Sequence, residues 1–133
     1  MIDLRSAARG AIYRALSAGA AGKMAAVFTE APQGTKPPYF EIGSIAATNV
    51  GAKPDDRRQE IMAEVWAVYR GEARGDLLAM MNAAEADLDR QPLTAPGAAL
   101  RPPHFISSLA SDAESDGVTY VGLLHFSIQA QPA

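Results

Sequence analysis

Arg58-Gln59-Glu60-Ile61-Met62-Ala63-Glu64-Val65-Trp66-Ala67-Val68-Tyr69 alternates over its whole length. Ile61, Ala63, Val65, Ala67 and Tyr69 share one face; Arg58, Glu60, Met62, Glu64 and Trp66 share the other. Successive Cβ atoms of a strand point to opposite sides, so a period of two predicts a half-buried strand. One face supplies core. The other is polar except for Met62 and Trp66, two large apolar groups that need cover from a neighbouring subunit or from the loop at residues 92–101.

Working outward, Gly71 breaks the alternation and a helical pattern follows over residues 72–90. Ala73, Leu77, Met81, Ala84 and Leu88 form its apolar stripe, widened by Leu78 and Met80, while Asp76, Glu85, Asp87 and Asp89 give it an acidic exterior. Pro92 and Pro96-Gly97 end it. Upstream, residues 48–56 are polar and read as a long hairpin tip. Before them, Tyr39 to about Ala47 reads as a strand entered from an extended Pro37-Pro38 step. Residues 24–28 are a further short strand. Asp3 to Ser17 is an amphipathic helix, capped by Asp3 and stopped at Gly19, with Leu4, Ala8, Ala11, Ile12, Ala15 and Leu16 on its apolar stripe. Downstream, residues 104–110 and 118–129 read as strands around Asp116-Gly117, a good hairpin signal. The fold class expected is α+β: an antiparallel sheet of about four to five strands with two helices packed on one face, in a single domain spanning residues 1–133.

Composition narrows the function. The chain has 133 residues, 48% of them hydrophobic, but 27 are alanine and bury little area each. A core this lean makes further burial in an assembly attractive. Twelve basic against fifteen acidic residues leave a net charge of -3, contrary to a dedicated nucleic-acid binder. No apolar run approaches a membrane span and the N-terminus lacks a signal-peptide hydrophobic region, so a soluble, cytoplasmic chain with no membrane partner is expected. The absence of cysteine excludes disulfides, thiolate metal sites and thiol catalysis.

Motifs for small-molecule chemistry are weak. Gly19-Ala20-Ala21-Gly22-Lys23 hints at a phosphate loop, but Ser17 stands where the first glycine belongs and Met24 follows the lysine, so it reads as a helix terminator with a flexible exit. Asp112, Glu114, Asp116 and Gly117 mimic the opening of a calcium loop, yet Leu123 stands where its final acid is needed. His104 and His125 show no metal-ligand spacing, and no serine sits in a Gly-x-Ser-x-Gly turn. No catalytic, metal or cofactor site is expected. Lys53, Arg57 and Arg58 form a basic cluster offset by Asp55, Asp56 and Glu60, read either as a mixed-charge tip or as a docking surface for a partner.

Pro38-Tyr39-Phe40-Glu41-Ile42-Gly43, then Val65-Trp66 and Gly71 leading into a Leu/Met-rich helix, then Asp116-Gly117 before a closing strand, resembles the tail-completion or tail-terminator family of long-tailed phages and gene-transfer agents. The ordered combination covers most of the chain; Phe40 and the charged 48–58 segment depart from the family pattern. The resemblance implies a structural protein, not an enzyme. It implies a homo-hexameric ring at the head-proximal end of the tail tube that stops tube polymerisation and joins the tail to a head connector or stopper protein. The ring would be made in the host cytoplasm and then reside at the head-tail junction of the particle. DNA would cross its lumen without specific binding, and the acidic residues of the second helix are one candidate for the lining. Met62, Trp66, Lys53, Arg57 and Arg58 are the candidate interface residues. The alternatives are another neck component (a head-completion or stopper protein) and, from a different class, a small α+β enzyme or ligand-binding domain.

Overall fold

A computed structural model describes residues 2–112, 114 and 116–133. Its elements are α1 (Leu4–Ala18), α2 (Ala20–Met24), β1 (Ala26–Phe28), β2 (Tyr39–Asn49), β3 (Gln59–Arg70), α3 (Arg74–Leu88), β4 (Ala98–Leu100), β5 (His104–Ala110) and β6 (Thr119–Pro132). The fold is α+β. The sheet runs β1-β2-β3-β6-β4, and β5 also pairs with β6. β3 lies at its centre, in antiparallel register with β6 from Gln59↔Ala130 to Arg70↔Thr119 and with β2 from Tyr39↔Val68 to Asn49↔Gln59.

The alternation of β3 sorts its side chains as expected. Ile61, Ala63, Val65 and Ala67 are buried, with Leu124, Phe126 and Ile128 of β6 and Phe40 and Ile42 of β2 beside them. These join Leu4, Ala8, Ala11, Ile12 and Leu16 of α1 and Leu77, Met80, Met81, Ala84 and Leu88 of α3 in one core cluster. Both long helices therefore cover the same sheet face. Gly122 interrupts the inner row of β6 because Met81 of α3 occupies the space a Cβ would need.

Three features differ from the sequence expectation. The sheet is mixed and six-stranded, because β1 pairs parallel to β2. Residues 29–38 carry the chain back past β1, so that β2 starts in the same direction, as a parallel pair requires. Second, residues 20–24 form an ordered helical turn where a flexible exit was expected. Asp87 of α3 explains it: its carboxylate accepts from the amides of Ala20 and Ala21, both at 2.9 Å, and so caps α2 from outside. Those are the amides a phosphate loop would offer, and a protein carboxylate already uses them. Third, Ala98–Leu100 adds a short strand against the end of β6. Among the described residues no helix is long and apolar enough to cross a membrane.

The close seat of Met81 on Gly122 yields a stability test. Gly122→Val places two methyl groups and their Cβ in occupied core. A loss of about 1–3 kcal/mol is expected, typical of overpacking, read as a lower urea midpoint with an unchanged slope.

Candidate functional site

The sheet face turned away from the helices carries the ordered polar chemistry of the molecule. Strand register lays it out in rows. Glu41, Trp66, Leu123 and Leu109 form one row across β2, β3, β6 and β5; Glu64, His125 and Ser107 form the next; Ala46, Met62, Ser127 and His104 a third. Met62 and Trp66 thus share a face, as the alternation requires. Val68, in the row beyond Trp66, is buried without belonging to the helix-side core, and Val121 lies opposite it. Leu109 is 63% exposed and Ile106 50% exposed, which leaves apolar surface along β5.

Glu64 organises this face. One of its carboxylate oxygens accepts from the indole N–H of Trp66; the other lies 2.7 Å from Nε2 of His125. Nδ1 of His125 in turn lies 3.5 Å from the hydroxyl of Ser107. Both ring nitrogens of His125 therefore have a partner on this face. Gly43 of β2, in a bulged register between Ile42 and Ile45, lies against this group: a Cβ there would come within 2.6 Å of Trp66 Nε1 and 2.9 Å of Glu64 Oε1. The missing side chain lets the indole edge approach the β2 backbone closely. Ser107, His125 and Glu64 sit in the order of a hydrolytic triad, yet they lie on an open sheet surface and His125 leaves 38% of its side chain in solvent. The chain instead fixes the orientation of Trp66.

The loop at residues 92–101 does not lie over Trp66. Leu93 is buried in the helix-side core, and the carbonyl of Thr94 accepts from Arg14 of α1 at 2.7 Å. Only its end nears the outer face: Arg101, with Pro102, His104 and Ile106, borders an open groove that contains Met62. Glu64, His125 and Ser107 were not singled out together from the sequence. The outward positions of Glu64 and His125 were legible from alternation, but their pairing depends on the β3–β6 register.

Lys53, Arg57 and Arg58 lie at the opposite end of β3 from Trp66. Trp66 is eight residues along β3 from Arg58, about 26 Å at ~3.3 Å per residue. Arg58 is committed to Asp56, donating from Nε at 3.0 Å and from Nη2 at 2.8 Å. Asp56 also accepts from the Arg58 amide, at 3.1 Å. The Arg58 hydrogen bonds hold the Asp56 carboxyl down to about 2. Lys53 uses its carbonyl to accept from the Asp56 amide at 2.9 Å, closing the tip. The basic cluster is therefore partly a self-braced turn. The acids of α3 are similarly occupied: Asp76 accepts from the Tyr69 hydroxyl at 2.8 Å, Asp87 caps α2, and Asp89 accepts from the Phe105 amide at 3.0 Å. In the acidic turn before β6, Asp112 pairs with Arg74 at 2.7 Å and Asp116 accepts from the Val118 and Thr119 amides; Ala113 and Ser115 lie outside the described residues. Among the described residues no cluster of His, Asp and Glu is arranged to hold a metal ion.

No polar or charged residue among those described is buried. The cavities are open grooves, one of about 400 Å³ between Arg58, Leu100, Arg101 and Gln129. These grooves are lined by solvated side chains.

Residues 10–130 match the family described as Tail completion protein gp17. The chain belongs to this family of structural tail-completion proteins, which are not enzymes. Its fold is similar to a chain of the virion of a native gene transfer agent particle, with a TM-score of 0.81 at 16% identity over 98% of this chain and 100% of that one. It is also similar to the gp17 protein of bacteriophage SPP1, with a TM-score of 0.54 at 18% identity over 94% of this chain and 89% of that one. No curated protein matches the sequence.

The Asp56 clamp gives a pH-dependent prediction. A carboxyl lowered from 3.8 to about 2 on folding adds stability above the unfolded value and loses it as pH falls through the folded one. Asp56→Asn should melt below wild type at neutral pH. The difference should close as the pH is taken down to about 2, in paired thermal melts.

Proposed function

We propose that this chain is a ring-forming tail terminator: copies close into a homo-hexamer on the head-proximal end of a phage-like tail tube, stop its polymerisation and present the finished tail to a head-connector or stopper protein. The observation that carries the reading is the match to the tail completion family over residues 10–130. The likeness to a chain of a gene transfer agent virion supports a place in such a particle, at its head-tail junction after assembly in the host cytoplasm. One domain over residues 1–133 provides the repeating unit.

The surfaces fit this role. Trp66 and Met62 stand on the helix-free face, and the Glu64–His125 pair holds the indole in place, so a neighbour meets a pre-ordered aromatic group and loses little side-chain entropy on docking. Lys53, Arg57 and Arg58, at the far end of β3, are contacts for a second component. A net charge of -3 suits a lumen that DNA crosses without being held.

Electron microscopy of particles from a producing strain lacking this gene tests the proposal. Overlong, unattached tubes beside filled heads are expected. Tails of normal length that are merely unjoined would assign the chain to head completion or a stopper role, and intact particles would refute an assembly function. Trp66→Ala, returned to that strain, should keep the fold by circular dichroism and fail to restore joined particles. Full restoration would remove Trp66 from the interface.

A further inference from the structure

The sheet ends in two open edges, and a helix of opposite charge flanks each. β1 covers β2 only from Tyr39 to Glu41. Beyond that, β2 has β3 on one side and no strand on the other. The bond from the Val50 amide to the Arg58 carbonyl, 3.1 Å, fixes the phase of the β2–β3 ladder. Since every second residue of an antiparallel pair turns its amide and carbonyl to its partner, Ala46 and Thr48 face β3 while Ile45, Ala47 and Asn49 turn theirs outward. On the opposite flank, the Ser111 amide donates to the Val121 carbonyl at 2.9 Å, which directs Ser107 and Leu109 toward β6 and leaves the main chain of Ser108 and Ala110 outward. Among the described residues no hydrogen bond reaches these outward groups.

Isolated proteins block such edges with charges or proline. Here Gly43–Asn49 and Phe105–Ala110 contain no Lys, Arg, Asp, Glu or Pro, in a chain that is 20% charged. The bulges at Ile42/Ile45 and Phe105/Ser107 sit at the start of each open run and leave the remainder regular.

The flanking helices complement one another. Arg5 and Arg9 of α1, one turn apart, line a groove with Gly43 and Ile45 beside the β2 edge. α1 contains Arg5, Arg9 and Arg14 and no acid. Among the described residues Arg9 has no hydrogen-bond or ion-pair partner, and Arg5 reaches only Asp3, at 3.5 Å. Along α3, Met81 sits on Gly122 of β6; Glu85 and Asp89 follow at successive turns, and Asp89 holds the amide of Phe105 on β5. The line Glu85–Asp89 therefore runs beside the β5 edge, and among the described residues the Glu85 carboxylate has no hydrogen-bond or ion-pair partner.

We propose that copies of this chain join side by side, the free edge of β2 in one copy pairing with β5 of the next, and Arg5 and Arg9 of the first meeting Glu85 and Asp89 of the second. The inference rests on the self-assembly reading above and specifies its lateral contact. Direction agrees as well. β2, β3, β6 and β5 are each antiparallel to the next, so rotating a copy about an axis along the strands brings its β5 antiparallel to β2 of its neighbour. Two different edges make a heterologous contact, which generates a ring where the rotation between copies closes and does not by itself build a two-fold dimer.

The test returns variants to the gene-deleted strain and counts joined particles. Ala47→Pro removes an amide that no internal ladder bond uses, so the purified variant keeps its circular dichroism while particles fall about tenfold. Arg9→Glu and Glu85→Arg should each cost about tenfold, and the Arg9→Glu/Glu85→Arg double variant should recover most of the yield, because the swapped charges meet across the contact. Wild-type yields from all three single variants, or a double variant no better than either single, would overturn the lateral pairing while overlong tails in the deleted strain left the terminator reading standing. Should Ala47→Pro fail to fold, the charge-swap series decides. Tails of normal length in the deleted strain would overturn the terminator reading and leave the lateral contact to be decided by the charge-swap series.

Discussion

The twelve-position pairing of β3 with β6 is the constraint on which the rest of the structure depends. It is long enough to fix register without ambiguity, because a slip of one residue would turn Ile61, Val65, Leu124 and Phe126 into solvent and bring Glu64 and His125 into the core. Once that register is set, both long helices have a single apolar surface to cover, and the second face is left for contacts outside the molecule. The small residues follow from the same geometry. Ala63 and Ala67 let α1 and α3 approach the sheet, and Gly122 admits Met81.

The outer face shows how a half-buried aromatic residue is kept ordered outside the core. Trp66 donates to Glu64, Glu64 is shared with His125, and Gly43 leaves room for the indole. Exposed ion pairs contribute little to stability on their own. The group limits the rotamers of Trp66, and in the proposed assembly that lowers the entropy lost on docking. A tail-completion protein works by fitting its neighbours, and rigid surface groups serve that end better than a pocket.

The edges complete this view. A sheet in a monomer must protect its flanks, whereas a subunit of a closed assembly has its neighbours do so. The uncharged runs at β2 and β5, beside a basic α1 and an acidic α3, give the two sides of the molecule different and complementary characters. Much of the acidic charge on α3 also serves internal ends: Asp87 caps α2, Asp76 ties down Tyr69 and Asp89 anchors β5. An acidic helix exterior in the sequence thus represents several separate local tasks.

The sequence alone determined what rests on short-range periodicity. The faces of β3, the apolar stripes of α1 and α3, the outward placement of Met62 and Trp66 and the Asp116-Gly117 turn all follow from side-chain spacing of two or of three and four. The ordered family pattern, from Tyr39 through Val65-Trp66 to Gly117, supplied the class. Tertiary structure decided whatever depends on which strand lies beside which. The parallel β1 is fixed by the path of residues 29–38, the capping of α2 by an aspartate 67 residues away from Ala20, and the Trp66–Glu64–His125 group by a register spanning 61 positions. No local pattern encodes such contacts, because their partners are chosen by packing of the whole sheet and not by neighbours along the chain.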